Sequence, residues 1–424
     1  MNLKFVLKNR PLIEENCRQR QVEVNLDAIE MWANKRTSVI KEIESINKKT
    51  REIAKKVEKN ENGKRGELIE EGRALREKLK KEKQEIKIIE LAIEKELFKI
   101  PNITHPGTPI GSGEEDNVEM ERIGKIRDYS FKPKNHLELG EILDIIDFDA
   151  GTKVTGKKFY FLKNQGVFLE LALLQYALEI LRKHGFQSYL TPDLAKESIL
   201  EGTGYIPRGP ENQIYRIEGT DLGLIATAEV TLAGIFKDAV INASELPIKL
   251  SGLSHCFRTE AGSYGKASRG LYRVHQFSKV EMFVFCLPEN SGEMLEELLK
   301  IEKEIFNGLD IPFRVVLSCT AELGGSAYRK YDLEAWLPGE NRWGEITSAS
   351  NCTDYQSQRL NIKLKKREEN KKELLHTLNG TAIAVSRTLV SILENFQEAN
   401  GTVRIPKALH RFLPKGTTII KPKK

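Results

Sequence analysis

The sequence is poor in cysteine and in long apolar runs, and both shortages narrow the field. Its five cysteines, Cys17, Cys256, Cys286, Cys319 and Cys352, are scattered and fall in no CxxC or Cys/His spacing. That argues against a disulfide framework and a structural zinc site, and for buried thiols in a reducing compartment. No apolar stretch approaches the roughly 20 residues of a membrane helix. The start, MNLKFVLKNRPLIEENCRQR, has no signal-peptide core. A cytoplasmic protein with no membrane partner is expected, with an organelle matrix as the alternative. Neither GxxxxGK[ST] nor a GxGxxG after a strand occurs, so the two common phosphate-cradling loops are missing, and no internal repeat is visible.

What is present is a chain of 424 residues, 40% hydrophobic, enough for roughly two or three domains. A net charge of +6 permits a polyanionic partner without demanding one. Residues 26–100 change character. Ile29, Trp32, Val39, Ile43, Ile46, Ile53 and Val57, with Arg36 and Thr50 in the gaps, keep a 3-4 spacing that predicts a long helix. KNENGKRG (59–66) breaks it with turn residues. Leu68, Leu75, Leu79, Ile86, Ile89, Ile93 and Leu97 then resume it. Two helices of similar length around a short turn imply an antiparallel coiled-coil hairpin over about 28–98, reaching about 45 Å at 1.5 Å per residue. Its flanks mix Lys and Arg with Glu. Two readings fit, a solvated surface with i,i+4 pairs or an arm that tracks a phosphate backbone, and the pattern does not choose.

PNITHPGTPIGSGEEDN opens a Pro/Gly-rich stretch read as a linker over 101–160. Beyond it, the apolar run at 165–184 predicts a helix stopped at Gly185. Short runs such as LPIKLSGLSHCF, KVEMFVFCL, FRVVLSC and YDLEAWLP predict strands. The order suggests an α+β domain on an antiparallel sheet over 161–424.

One segment carries chemistry: FRTEAGSYGKASRGLYRVHQFSKVEMF (257–283). If 256–261 and 273–285 are strands of one hairpin, Arg258 and Glu260 share a face of the first, and His275, Phe277, Lys279 and Glu281 one face of the second. Carboxylates, cations and an aromatic on one sheet face cannot form a dry core, because unpaired buried charges are very costly. The face is wet, self-paired or turned to a charged ligand. A ligand with an aromatic base and phosphates suits these groups: a ring to stack, a guanidinium fork for phosphate, a carboxylate for an exocyclic amine and a second one for a cationic group.

FRTE, the following loop and VHQFSKVE resemble motif 2 of class II aminoacyl-tRNA synthetases, in the form found in seryl-tRNA synthetases. GFQSYLTP (185–192) resembles motif 1, TAE (227–229) the serine-site signature, EITSASNCTDYQSQR (345–359) that family's EISSCSNCEDFQ-type segment, and HTLNGTAIAVSR (376–387) motif 3. The motifs occur in family order, behind an arm placed where that family carries its tRNA-binding arm, so the resemblance spans essentially the whole chain. Ala226, Thr347, Ala349 and Ser386 depart from the commonest form; small Ser386 in place of Gly is expected to alter loop packing and to leave ATP binding intact.

The resemblance implies an antiparallel-sheet class II catalytic domain with an N-terminal helical coiled-coil arm. It implies a ligase that uses ATP, with Mg²⁺, to form seryl-adenylate from L-serine and then charges tRNA(Ser). Residues 1–100 would be the tRNA-binding domain, the enzyme would be a homodimer through motif 1, and tRNA(Sec) stays open as a second substrate. Arg258, Glu345 and Arg387 would be catalytic. ATP would meet Arg258, Thr259, Glu260, Val274, His275, Gln276, Phe277, Glu345, Ile346, Thr347, Ser348 and Arg387, with His275 a structural histidine and not an acid or base. Glu345 and Ser348 would hold the metal. Serine would meet Thr227, Ala228, Glu229, Arg258, Glu281, Asn379 and Thr381. The alternatives are a non-catalytic tRNA-binding or regulatory paralogue, which predicts damage at Arg258, Glu281 or Arg387, and a carrier-protein amino-acid ligase, which would lack the arm.

Overall fold

The structure, a computed structural model, describes residues 1–58, 65–205, 214–260, 270–365 and 373–423. It comprises two compact units, Met1–Pro101 and Asn102–Lys424. The turn expected at 59–66 lies largely outside the described residues. So do Lys266 and Arg269 of the motif 2 loop and most of the charged run after Leu364.

In the first unit, two short helices, Leu3–Lys8 and Arg10–Gln19, precede α1 (Leu26–Glu58) and α2 (Arg65–Lys99). The seam follows the apolar spacing: Val39, Ile89 and Ile93 are buried, with Trp32, Ile43, Ile86 and Leu97 packed on them. Cross-helix pairs fix the direction. Lys35 meets Glu85 at 2.7 Å, Arg36 meets Glu90 at 2.9 Å, Lys78 meets Glu42 at 2.5 Å, and Ile53 lies beside Gly72. From 36 through 42 to 53 the partner falls from 90 through 78 to 72, so α1 and α2 are antiparallel. These pairs are exposed, and solvent screens them. The buried seam holds the hairpin.

The second unit is built on an eight-stranded sheet. Its strands are β1 (Val118–Ile123), β2 (Gln187–Leu190), β3 (Ile248–Phe257), β4 (Gln276–Cys286), β5 (Phe313–Leu317), β6 (Arg329–Leu337), β7 (Arg342–Thr353) and β8 (His376–Ala384). They lie in the order β1-β5-β6-β7-β8-β4-β3-β2, antiparallel except for the edge pair β2 and β3. β1 comes from the stretch read as a linker, and it pairs with β5 through VEMERI, whose side chains stay mostly exposed. An edge strand needs little apolar content, which hides it among the Pro- and Gly-rich text around it.

Helices α3 (Gln165–Lys183), α5 (Ser291–Gly308) and α6 (Val385–Asn395) supply apolar side chains to the large core on one sheet face, and α4 (Ala228–Gly234) caps a smaller cluster on the other. β4 explains the division. Val280, Met282, Val284 and Cys286 point into the large core, and the alternate positions begin with Phe277, Lys279 and Glu281 and end with Phe283 and Phe285 in the smaller cluster. One face of a single strand therefore changes from polar to apolar halfway along, and the polar half borders a cavity.

Candidate active site

The cavity is about 450 Å³ and lies over the middle of the sheet. Arg258, Glu260, Val274, Phe277, Glu281, Glu345, Ile346, Thr347, Ser348, Asn379, Thr381, Arg387 and Glu229 all line it. Residues from β4, β7, β8, α4 and α6 thus meet although up to 158 positions separate Glu229 from Arg387.

At the inner end, Glu281 is fully buried. Its carboxylate accepts hydrogen bonds from Asn379 Nδ2 at 3.3 Å and Thr381 Oγ1 at 3.1 Å, and it forms a buried ion pair with Lys279. Adjacent strands dictate this grouping, because Thr381 stands directly opposite Glu281 in the β8–β4 register. Nearby, Glu229 is buried at the start of α4, where Thr227 Oγ1 accepts the Glu229 backbone N–H at 3.3 Å. Tyr205 Oη donates to Glu229 Oε2 and Gln356 Nε2 to Oε1, both at 2.6 Å. Burial, and then the charge of Glu281, push the Glu229 carboxyl up to about 7 against the help of those donors.

The outer end is cationic and aromatic. The Arg258 guanidinium lies 5.3 Å from the centre of the Phe277 ring. Tyr272 is flanked by Arg342 at 4.6 Å and Arg387 at 4.9 Å, and its hydroxyl donates to the Glu345 carbonyl at 3.1 Å. Arg387 Nη1 meets Glu345 Oε2 at 3.1 Å. Burial opposes the charge of Glu345, yet Arg387, Lys330 and Arg258 outweigh it and hold the carboxyl down at about 2. Glu345 is thus an anion at every physiological pH. The cavity offers fixed cations for a polyanion at one end and carboxylates for a cation at the other.

The hairpin expected at 256–285 differs in one respect. β3 ends at Phe257, and Arg258 is held by backbone and side-chain bonds to His275, after which Glu260 takes a left-handed backbone with φ 51°. Arg258 and Glu260 reach the same cavity from the segment that follows β3 and not from one strand face. Glu260 is also tied to Arg273, at 3.3 Å.

Five other predicted positions lie off the cavity wall. His275 Nδ1 contacts the Arg258 carbonyl at 2.7 Å, Gln276 borders a separate 190 Å³ pocket behind Phe277, Thr227 caps α4, and Ala228 packs on Gly252. Thr259 is half-buried between Arg258 and Glu260. Conversely, Tyr205, Tyr272 and Lys330 line the cavity without having been assigned a part, and Gln356 reaches Glu229 from α-helical turn Tyr355–Arg359. Lys279 had a sequence signal, standing between Phe277 and Glu281 in strand alternation. Gln356 falls in the quoted 345–359 segment but outside any strand alternation, and Tyr205 comes from a segment with no signal.

A mainly antiparallel sheet with this cavity over its central strands is the core of a class II aminoacyl-tRNA synthetase, and the family model of the tRNA synthetase class II core domain (G, H, P, S and T) matches residues 214–396. The model of the seryl-tRNA synthetase N-terminal domain matches residues 1–104. The chain is 52% identical to the serine–tRNA ligase of Rubrobacter xylanophilus over 96% of both chains, and 50% identical to that of Treponema denticola over 96% of this chain and 97% of the other. The crystal structure of seryl-tRNA synthetase from Pyrococcus horikoshii complexed with ATP superposes with a TM-score of 0.90 at 37% identity, covering all of both chains. The chain belongs to the seryl-tRNA synthetase family.

Proposed function

We propose that the protein is a serine–tRNA ligase that activates L-serine with ATP and passes the seryl group to the 3′ end of tRNA(Ser). One observation carries the reading: the Glu281, Asn379 and Thr381 cluster shares a cavity with Arg258, Phe277, Glu345 and Arg387.

In the first step, the serine carboxylate attacks the α-phosphorus. An O–P bond forms to the carboxylate as the bond to pyrophosphate breaks. Serine is already ionised, so no general base is needed. Positioning and cations do the work. Phe277 stacks on adenine, Glu260 accepts from its amino group, Arg258 stabilises charge on the α-phosphate and Arg387 holds the outer phosphates. Glu229 and Glu281 share the serine ammonium, and Asn379 and Thr381 take its hydroxyl. In the second step, a terminal ribose hydroxyl of tRNA adds to the seryl carbonyl carbon and AMP leaves, with release of a proton.

Mg²⁺ suits the donor set, since Glu345 is a permanent carboxylate anion and Ser348 adds a hydroxyl oxygen on the same wall. These two residues would hold it, and it would supply charge neutralisation at the phosphates. The solvent-facing Val167, Phe168 and Leu171 of α3, with Tyr189 and Leu190 of edge strand β2, favour a homodimer over that edge. tRNA(Ser) is assigned to the α1–α2 arm. Five cysteines, all free and buried, fit the cytoplasm; among the described residues, no helix is long and apolar enough to cross a membrane.

The test is amino-acid-dependent ATP–pyrophosphate exchange. Serine supports exchange. Alanine, which leaves buried hydroxyl partners unsatisfied, is disfavoured by roughly 10⁴-fold in kcat/KM. Equal exchange with both would refute the serine pocket.

A further inference from the structure

Beneath the cavity, on the core face of the sheet, α5 points an acid upward. Glu302 is completely buried, yet neither the arm nor the two-step reaction described above uses it. Its Oε1 lies 3.2 Å from Thr347 Oγ1. The same Thr347 hydroxyl also contacts the Thr381 carbonyl oxygen. Gly380, next to Thr381, leaves the space that the acid fills: a Cβ there would come within 3.2 Å of Glu302 Oε1.

The hydrogens do not balance if Glu302 is ionised. A threonine hydroxyl owns one hydrogen. A carbonyl oxygen and a carboxylate both only accept, so Thr347 can satisfy one of them. All three groups are satisfied together if Glu302 carries the proton: it then donates to Thr347, whose own hydrogen goes to the Thr381 carbonyl.

We propose that Glu302 is a neutral carboxylic acid and a positioning residue for serine, donating to Thr347, which donates to the Thr381 carbonyl and so fixes the strand from which Thr381 Oγ1 reaches Glu281. The relay rests on the reading that Thr381 and Glu281 bind serine. Three further observations support it. Glu302 Oε2 has no hydrogen-bond partner among the described residues, a burden far smaller for a neutral acid than for an anion. Burial drives the carboxyl well above the ordinary range against the hydrogen bond with Thr347, and the charges of Glu281, Asp332 and Glu345 raise it further. The β8–β4 register shifts between Thr381 and Ile383, so the strand is irregular where the relay grips it.

The experiment has two arms. Difference infrared spectroscopy of the full-length wild type against Glu302→Gln at pH 8 should show the carbonyl stretch of a protonated carboxyl that belongs to Glu302; a carboxylate band in its place overturns the proposal. In steady-state pyrophosphate exchange, Glu302→Gln, which still donates, should keep the serine KM within about twofold. Glu302→Met, which cannot donate, should raise it about tenfold with little change in the ATP KM. Serine and ATP KM rising together with a falling kcat would mean packing alone, and would also overturn it. If Glu302→Met does not fold, the infrared band and the Glu302→Gln KM decide. Absence of exchange in the wild type would sink the ligase reading separately, and leaves the band as the test of the protonation.

Discussion

Serine affinity should depend on pH through Glu229. The side chain is buried, accepts from Tyr205 and Gln356, and its carboxyl sits at about 7 because burial and Glu281 oppose its charge. An ammonium bound in the cavity favours the ionised form. With a pKa near 7, about 9% of the free enzyme is ionised at this site at pH 6 and about 91% at pH 8. If only that fraction binds, the apparent serine KM falls about tenfold between those pH values. The ammonium of free serine titrates above this window and does not confuse the result. Exchange measured at saturating ATP across pH 6 to 8 gives the curve. Glu229→Gln should weaken serine binding and flatten it. A flat wild-type profile, or a KM that rises with pH, would refute the assignment of Glu229 to the ammonium.

The same residue makes a stability prediction of opposite sign. An acid whose folded pKa is raised keeps its proton in the fold longer than in the unfolded chain, so stability is lost as pH rises between its ordinary 4.5 and about 7. The loss is about 3 kcal/mol at pH 8. Glu229→Gln should therefore gain in Tm relative to wild type on moving from pH 5 to pH 8 while losing serine affinity. A site that binds a cation with a buried anion is unstable until the cation arrives.

Other parts of the molecule make separable predictions. Arg258→Ala removes the guanidinium beside Phe277 and should lower exchange by at least about 10²-fold, the usual cost of losing one transition-state donor, with Tm nearly unchanged; retained exchange would remove Arg258 from the α-phosphate. Deleting residues 30–96 takes away most of the α1–α2 hairpin, with its buried Val39, Ile89 and Ile93. Exchange should survive while charging of tRNA(Ser) is abolished, and unchanged charging would overturn the role of the arm.

How much of this was legible follows from where each signal lives. The arm was readable because its seam repeats over many turns, so that the polar interruptions at Arg36 and Thr50 did not hide it. Phe277, Lys279 and Glu281 were readable because strand alternation holds as long as the strand does. Arg258 and Glu260 were placed on a strand face they do not occupy, since parity says nothing once β3 ends at Phe257 and the backbone turns left-handed at Glu260. Tyr205 and Gln356 meet only through tertiary folding.

Glu302 marks the boundary between these cases. In α5 the buried positions Leu295, Leu298, Ile305 and, just past the helix, Leu309 step by three or four, and Glu302 fills the missing place between 298 and 305. Among the glutamates of that helix it alone stands on this stripe. An acid on an apolar stripe needs either a buried cation or a proton, and among the described residues Glu302 Oε2 has no hydrogen-bond partner. The sequence could therefore expose the anomaly, but choosing between the two remedies required knowing that Thr347 and Gly380 would arrive above it from strands far along the chain. Its chemistry is set by what the sheet brings to the helix, which is why a Glu302→Met change should read out in serine binding and not in ATP binding.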